Sequence, residues 1–214
     1  RSVPPASSIP RERGCVVELA RRFPLDDVAL PGTHPEGVTP QLTLTVRNGR
    51  AHAFVLARKG RAGDVAAALG IDQAPGRAAV TEAFLACPTA PGQWAVMADG
   101  GDDGALAARL KERVGDAGDV SEQSHGRQTI RLGGPAVGEL MTRLCALDLH
   151  PRAAAPGWCA QTRVAGIGAL VHQCDAAPSF DVVVYAGYAE AFWRRLTTSA
   201  AAFGYLVAVE RMGP

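Results

Sequence analysis

Arg127-Gln-Thr-Ile-Arg-Leu-Gly-Gly-Pro-Ala-Val-Gly-Glu-Leu-Met-Thr-Arg-Leu-Cys145 joins a strand to a helix within nineteen residues. Arg127 to Leu132 reads as a strand. Gly133-Gly134-Pro135 breaks it, and the break predicts a helix with Pro at its first position, where a missing N–H costs nothing. Val137, Leu140, Met141, Leu144 and Cys145 then recur at i, i+3, i+4, i+7 and i+8, the clearest amphipathic pattern in the chain.

The same grammar extends in both directions. Downstream, a proline-rich connector from Leu149 to Gly157 leads to three strands, near Ala160–Val164, Gly168–Cys174 and Phe180–Tyr185. The run Val182-Val183-Val184 suggests burial on both faces. A helix over about Tyr188–Phe203 follows, with Phe192, Leu196, Ser199 and Phe203 on one stripe, and Tyr205–Val209 is a last strand.

Upstream, Gln41–Arg47 alternates, with Leu42, Leu44 and Val46 on one face. Asn48-Gly49 predicts a hairpin into a strand at His52–Ala57. Gly63-Asp64 opens a short helix through Leu69, closed by Gly70. Thr81–Cys87 and Gln93–Met97 are strands joined by a Pro-Gly turn. Asp102 or Asp103 can cap a helix over 104–114 that turns Leu106, Leu110 and Val114 to one side. Asp119–Ser124 is expected to pair with Arg127–Leu132 about a His125-Gly126 turn.

Strand, helix, strands, helix, strand, and then much the same again, is the order of split βαβ units. The fold class is therefore α+β: two ferredoxin-like units with antiparallel sheets, in sub-lobes of about 41–124 and 125–214. Residues 1–40 hold seven prolines, which favour extended backbone. They read as an arm with one short helix near Cys15–Arg22. Ile9, Val16, Val17 and Leu19 are its candidate anchors on a neighbouring subunit.

The 214 residues carry 22 basic and 21 acidic side chains, so neither nucleic acid nor an anionic membrane is an expected partner. No apolar run approaches the ~20 residues that span a bilayer. The N-terminus lacks the apolar centre of a secretory signal. Five scattered cysteines without a C-x-x-C pair suit reduced thiols and a cytoplasmic location.

The residues that could carry chemistry have plainer readings. His172 and Cys174 share a strand face, but zinc needs at least three protein ligands, and His150 and Cys159 are irregularly spaced. Ser124 and His125 are adjacent on an extended segment and face apart, so they do not form a nucleophile–base pair. Gly133-Gly134-Pro135 is a tight turn rather than an anion cradle. Gly166-Ile167-Gly168 precedes a strand, which excludes a dinucleotide fingerprint. Arg194-Arg195 suits a solvated helix face, and Trp94, Trp158 and Trp193 suit core or interface anchors. No catalytic, cofactor-binding or metal residue is expected in this chain.

Several segments resemble the gamma subunit of heterotetrameric sarcosine oxidase. They are Val120–Pro135 and Leu144-Cys-Ala-Leu-Asp-Leu-His-Pro-Arg152, followed by Pro156-Gly-Trp-Cys-Ala-Gln-Thr162. Ala189–Gly204, with Phe192-Trp193 and Phe203-Gly204, and Pro91-Gly92-Gln93-Trp94 are also similar to it. The likeness covers about Arg61 to Val209. Where that family usually carries Arg-Ser before the last helix, this chain has Ala186-Gly187, which leaves the N-methyl amine open.

The resemblance implies a cofactor-free structural subunit. Its partners would be an alpha subunit with NAD and a folate site, a beta subunit with FAD and a shared FMN, and a zinc-binding delta subunit. The assembly would oxidatively demethylate sarcosine to glycine, with hydrogen peroxide and formaldehyde or methylenetetrahydrofolate. It also implies the fold of the folate-binding domain of glycine-cleavage aminomethyltransferase. Asp148 and His150 are read as structural residues of the turn before Pro151.

Two alternatives stand beside it. One is a self-sufficient folate-binding protein. The segment Pro156–Thr162, however, lacks the Lys and Glu of the Lys-Gly-Cys-x-x-Gly-Gln-Glu element of iron–sulfur-assembly relatives. The other is an interaction module of an unrelated complex.

Overall fold

The structure is a computed structural model and describes residues 21–71, 76–100, 104–150 and 152–212. In chain order the elements begin with β1 (Gly32–His34), β2 (Leu42–Asn48), β3 (Ala51–Ala57), α1 (Ala62–Leu69), β4 (Ala79–Val80), β5 (Leu85–Ala90) and β6 (Gln93–Ala98). There follow α2 (Ala105–Val114), β7 (Gly118–Glu122), β8 (Arg127–Gly133), α3 (Val137–Leu144), β9 (Cys159–Val164), β10 (Ile167–Gln173), β11 (Phe180–Tyr185), α4 (Ala189–Ala200) and β12 (Tyr205–Arg211).

The strands form two sheets, ordered β1-β12-β2-β8-β11-β10-β9 and β4-β5-β6-β3-β7. Within the smaller sheet, β3-α1-β5-β6-α2-β7 repeats strand–helix–strand twice, and β7 lies beside β3. That is the ferredoxin-like arrangement. Within the larger sheet, β8-α3-β10-β11-α4-β12 repeats it. Here β2 wedges between β12 and β8, parallel to the first and antiparallel to the second. Every other named strand pair is antiparallel.

Side-chain alternation stacks these parts into four layers. Val182 and Val184 of β11 face α3 and α4, where Val137, Leu140 and Met141 pack with Phe192 and Leu196. Trp94 and Val96 of β6 face α1 and α2, meeting Val65, Leu69, Leu106, Leu110 and Val114. The opposite faces meet each other: Leu85, Cys87 and Met97 of the small sheet pack on Cys159, Leu170 and Val183 of the large one. Each large side chain removed from water in this way contributes roughly 1.5–3 kcal/mol.

Four local expectations are corrected. Asn48-Gly49 is not a hairpin, because β2 and β3 lie in different sheets. It is the crossing between them. Gly49 has φ +79°, and a Cβ there would stand 2.6 Å from the Met212 carbonyl oxygen. Ser124–Gly126 likewise forms a 3₁₀ turn that leads from the small sheet to the large, so β7 and β8 do not pair.

Residues 23–34 are not a detached arm. Leu25 and Ala29 are buried in the large core, Trp193 Nε1 donates to the Val28 carbonyl at 3.2 Å, and β1 pairs with β12. Finally, α3 begins at Val137, so Pro135 sits in the preceding turn rather than at the first helical position. The expected helix near Cys15, the anchors Ile9, Val16, Val17 and Leu19, the capping Asp102 or Asp103, and Pro151 lie outside the described residues.

Candidate functional site

The layer between the two sheets carries a buried charge cluster beside its apolar patch. Alternation along β11 that sends Val182 and Val184 to the helices sends Asp181 inward with Val183. Arg131 is the register partner of Asp181 on β8 and grips its carboxylate with two hydrogen bonds, Nε–Oδ1 at 2.7 Å and Nη2–Oδ2 at 2.9 Å. Arg50, at the crossing between the sheets, donates Nη1 to Oδ2 at 2.7 Å. Arg47 of β2 adds a contact at 3.5 Å and donates to Asp99 and Glu210, each at 3.1 Å. Three guanidiniums therefore meet three carboxylates, drawn from β2, the crossing, β8, β11, β12 and the residue after β6.

Burial opposes the Asp181 charge. The Arg131 hydrogen bonds and the field of Arg50 and Arg47 outweigh it and hold its pKa at about 2. Two histidines flank the cluster. Burial, with Arg50 beside it, lowers His52 to about 3, and its Nε2 lies 3.1 Å from Thr129 Oγ1. Burial also lowers His172 to about 4. Both imidazoles are neutral at pH 7.

His172, Cys174 and Asp181 bring one ligand atom each within 4.8 Å of one another. Their chemistry does not suit a cation. Both Asp181 oxygens are engaged by arginine, and burial raises the Cys174 thiol away from thiolate. The other two residues weighed for zinc do not complete the set. Cys159 faces His172 across the β9–β10 ladder, but its thiol is hydrogen-bonded to Cys87, which that bond and burial push up. His150 is exposed in the connector, where its Nδ1 accepts the Arg152 N–H at 3.2 Å.

The remaining sequence candidates occupy structural positions. Ser124 Oγ accepts the His52 N–H at 2.9 Å and donates to the His52 carbonyl at 3.3 Å, fastening the turn to β3. Gly134 has φ +101°, and a Cβ there would stand 2.5 Å from the Gln41 carbonyl oxygen, so the turn demands glycine. Gly166, with Ala165, turns the β9–β10 hairpin. Arg195 donates to the Ala165 carbonyl at 2.8 Å, and Arg194 pairs with Glu190 along α4. Trp94 is buried under α1 and α2, Trp193 under residues 25–29, and Trp158 is half-buried beside the large core. Asp148 Oδ1 accepts the His150 N–H at 2.9 Å, the Asx-turn that its sequence predicts.

The cluster was not singled out in the sequence. Its one local signal is a carboxylate, Asp181, at the head of the apolar run Phe180–Tyr185.

Two ferredoxin-like units in four layers, fastened through a buried charge cluster, define an α+β domain. The family model described as "Sarcosine oxidase, gamma subunit family" matches residues 57–202. The chain belongs to the sarcosine oxidase gamma subunit family.

Among solved structures, the chain is similar to a heterotetrameric sarcosine oxidase from Corynebacterium sp. U-96. The identity is 22% and the TM-score 0.73, covering 86% of this chain and 96% of that one. It is also similar to glycine cleavage system aminomethyltransferase T from Bartonella henselae, with 14% identity, a TM-score of 0.59 and 79% of this chain covered. There it spans 48% of the longer protein. No curated protein matches. Among the described residues no helix is long and apolar enough to cross a membrane.

Proposed function

We propose that this chain is the non-catalytic gamma subunit of a heterotetrameric, flavin-dependent oxidase that demethylates sarcosine or a related N-methyl amine. The observation that carries the reading is the family match over residues 57–202. The overlay on a heterotetrameric sarcosine oxidase chain along 96% of that chain's length supports it. The commitment of Asp181 to Arg50 and Arg131 fits a scaffold, because both carboxylate oxygens are used in holding strands together. In this reading FAD, FMN, NAD and zinc reside on alpha, beta and delta partners in the cytoplasm.

The test is to express the tagged chain alone and together with the alpha, beta and delta subunits of a heterotetrameric sarcosine oxidase. The chain alone is expected to be colourless and to release no peroxide with sarcosine. The co-expressed preparation is expected to carry the flavin spectrum and to release peroxide with an N-methyl amine. A flavin band in the washed isolated chain, or no flavoprotein retained on the tag, contradicts the proposal.

A further inference from the structure

A second concavity, separate from the charge cluster, has the make-up of a small-molecule site. It is a half-enclosed cavity of about 650 Å³ between the turn after β3, the β5–β6 hairpin and strand β9. Sites for small organic ligands usually measure about 300–1,000 Å³ and combine apolar walls with a few placed polar groups. The walls here are short or flat: Ala57, Pro88, Ala160 and the indole of Trp94 among them. Gly92, with φ +72°, turns the hairpin against Ala57 and Ala62 without filling the space.

The polar part of the lining has one sign. Arg58 and Lys59 stand at the cavity, and no Asp or Glu lines it among the described residues. Arg58 is partly balanced by Asp119 at 3.6 Å, whereas Lys59 has no ion-pair partner among the described residues. Trp94 is 1% exposed, and its Nε1–H, a donor only, has no hydrogen-bond partner among the described residues. The hydroxyl of Thr89, another lining residue, is equally unpartnered. A buried donor left unpaired is costly, and such groups in native proteins commonly mark a missing water or ligand.

We propose that this cavity binds a small organic anion, an apolar ring body carrying a carboxylate. The body lies against Ala57, Pro88, Ala160 and the Trp94 ring. The carboxylate faces Lys59 and Arg58, and a ligand oxygen satisfies the Trp94 N–H. A cationic ligand of the same shape is rejected, because no carboxylate among the described lining residues would balance it. The site is independent of the subunit assignment.

The experiment uses the full chain labelled with ¹⁵N and follows the three indole N–H resonances, with Trp94→Phe assigning the relevant one. 2-Naphthoate is the probe, and 2-naphthylmethylammonium is the control of like shape and opposite charge. A saturable shift of the Trp94 indole with naphthoate, absent with the ammonium, is expected. Lys59→Glu is expected to weaken apparent affinity about threefold or more, in line with a partly exposed charge contact. Ala90→Phe, which places a ring at the exposed mouth, is expected to abolish the shift. Lys59→Glu lies on the surface and keeps the test decisive if Ala90→Phe fails to fold. No saturable shift, an equal shift with the ammonium, or unchanged affinity in Lys59→Glu overturns the proposal.

Discussion

Arg50 Nη1 donates a 2.7 Å hydrogen bond to Asp181 Oδ2 across 131 residues of sequence, tying the crossing between the two sheets to the centre of the larger one. Arg131 holds the same carboxylate from the neighbouring strand. Cutting one partner from such a cluster leaves the others buried and unbalanced, which costs far more than losing a surface pair.

Asp181→Ala is therefore expected to lower unfolding free energy by about 3–5 kcal/mol. Denaturant unfolding at pH 7 measures it. Glu190→Ala, which removes an exposed partner of Arg194 on α4, is the control and is expected to change stability by less than about 1 kcal/mol. Equal effects from the two substitutions would contradict the assignment of the cluster as the fastening of the fold.

Acid is expected to destabilise the chain early, through its histidines. His52 and His172 have folded pKa values of about 3 and about 4, below their ordinary 6.5. The unfolded chain binds protons at both as pH falls below 6.5, and the folded chain does not, so stability drops in that window. The slope approaches roughly 1.4 kcal/mol per pH unit for each histidine, until pH 4 for His172 and pH 3 for His52. The Asp181 contribution is present above its ordinary 3.8 and is lost only as pH falls toward about 2. Denaturant midpoints between pH 7 and 4 give the slope, and His52→Gln should reduce it.

Two glycines close together in sequence should respond in opposite directions. Gly134→Ala forces a Cβ against the Gln41 carbonyl at φ +101°, and a loss of about 2 kcal/mol or more is expected. Gly138 lies in α3 with open space around its missing Cβ. Gly138→Ala should therefore add about 0.5–1 kcal/mol by removing backbone freedom from the unfolded chain. Thermal melts of both variants decide the matter.

Much of this architecture is legible in the sequence because it is local. The stripe Val137, Leu140, Met141 and the trio Leu106, Leu110, Val114 are buried as their spacing requires. Gly70 closes α1 in the left-handed conformation, and Val182-Val183-Val184 is covered on both faces. What escaped is what depends on distant partners. Asn48-Gly49 carries a strong local turn signal, but β2 finds its neighbours in β8 and β12, roughly eighty and a hundred and sixty residues away. The same holds for Asp181, whose arginines arrive from other strands, and for Leu25 and Ala29, which the proline-rich context hid but the large core takes in.

That last point predicts a graded response to truncation. Removing residues 1–30 takes Leu25 and Ala29 out of the core and strips the Val28 carbonyl from Trp193. A loss of about 3 kcal/mol or more is expected from two vacated core positions and one unpaired indole N–H. Removing only residues 1–20 leaves Leu25, Ala29 and the Val28 carbonyl in place, so this loss is not expected from the shorter deletion. Calorimetry on the two truncated chains separates these outcomes.

The proposed role of scaffold rather than catalyst is decided by assembling the flavoprotein complex with and without this chain. Flavin content, particle size and amine-dependent peroxide release are read on the same preparation. Omission is expected to yield dissociated subunits with little oxidase activity. Complexes containing the chain are expected to show the same turnover per flavin whether the chain is wild type or the Gly138→Ala variant. A fully sized, fully active complex assembled without the chain would contradict it.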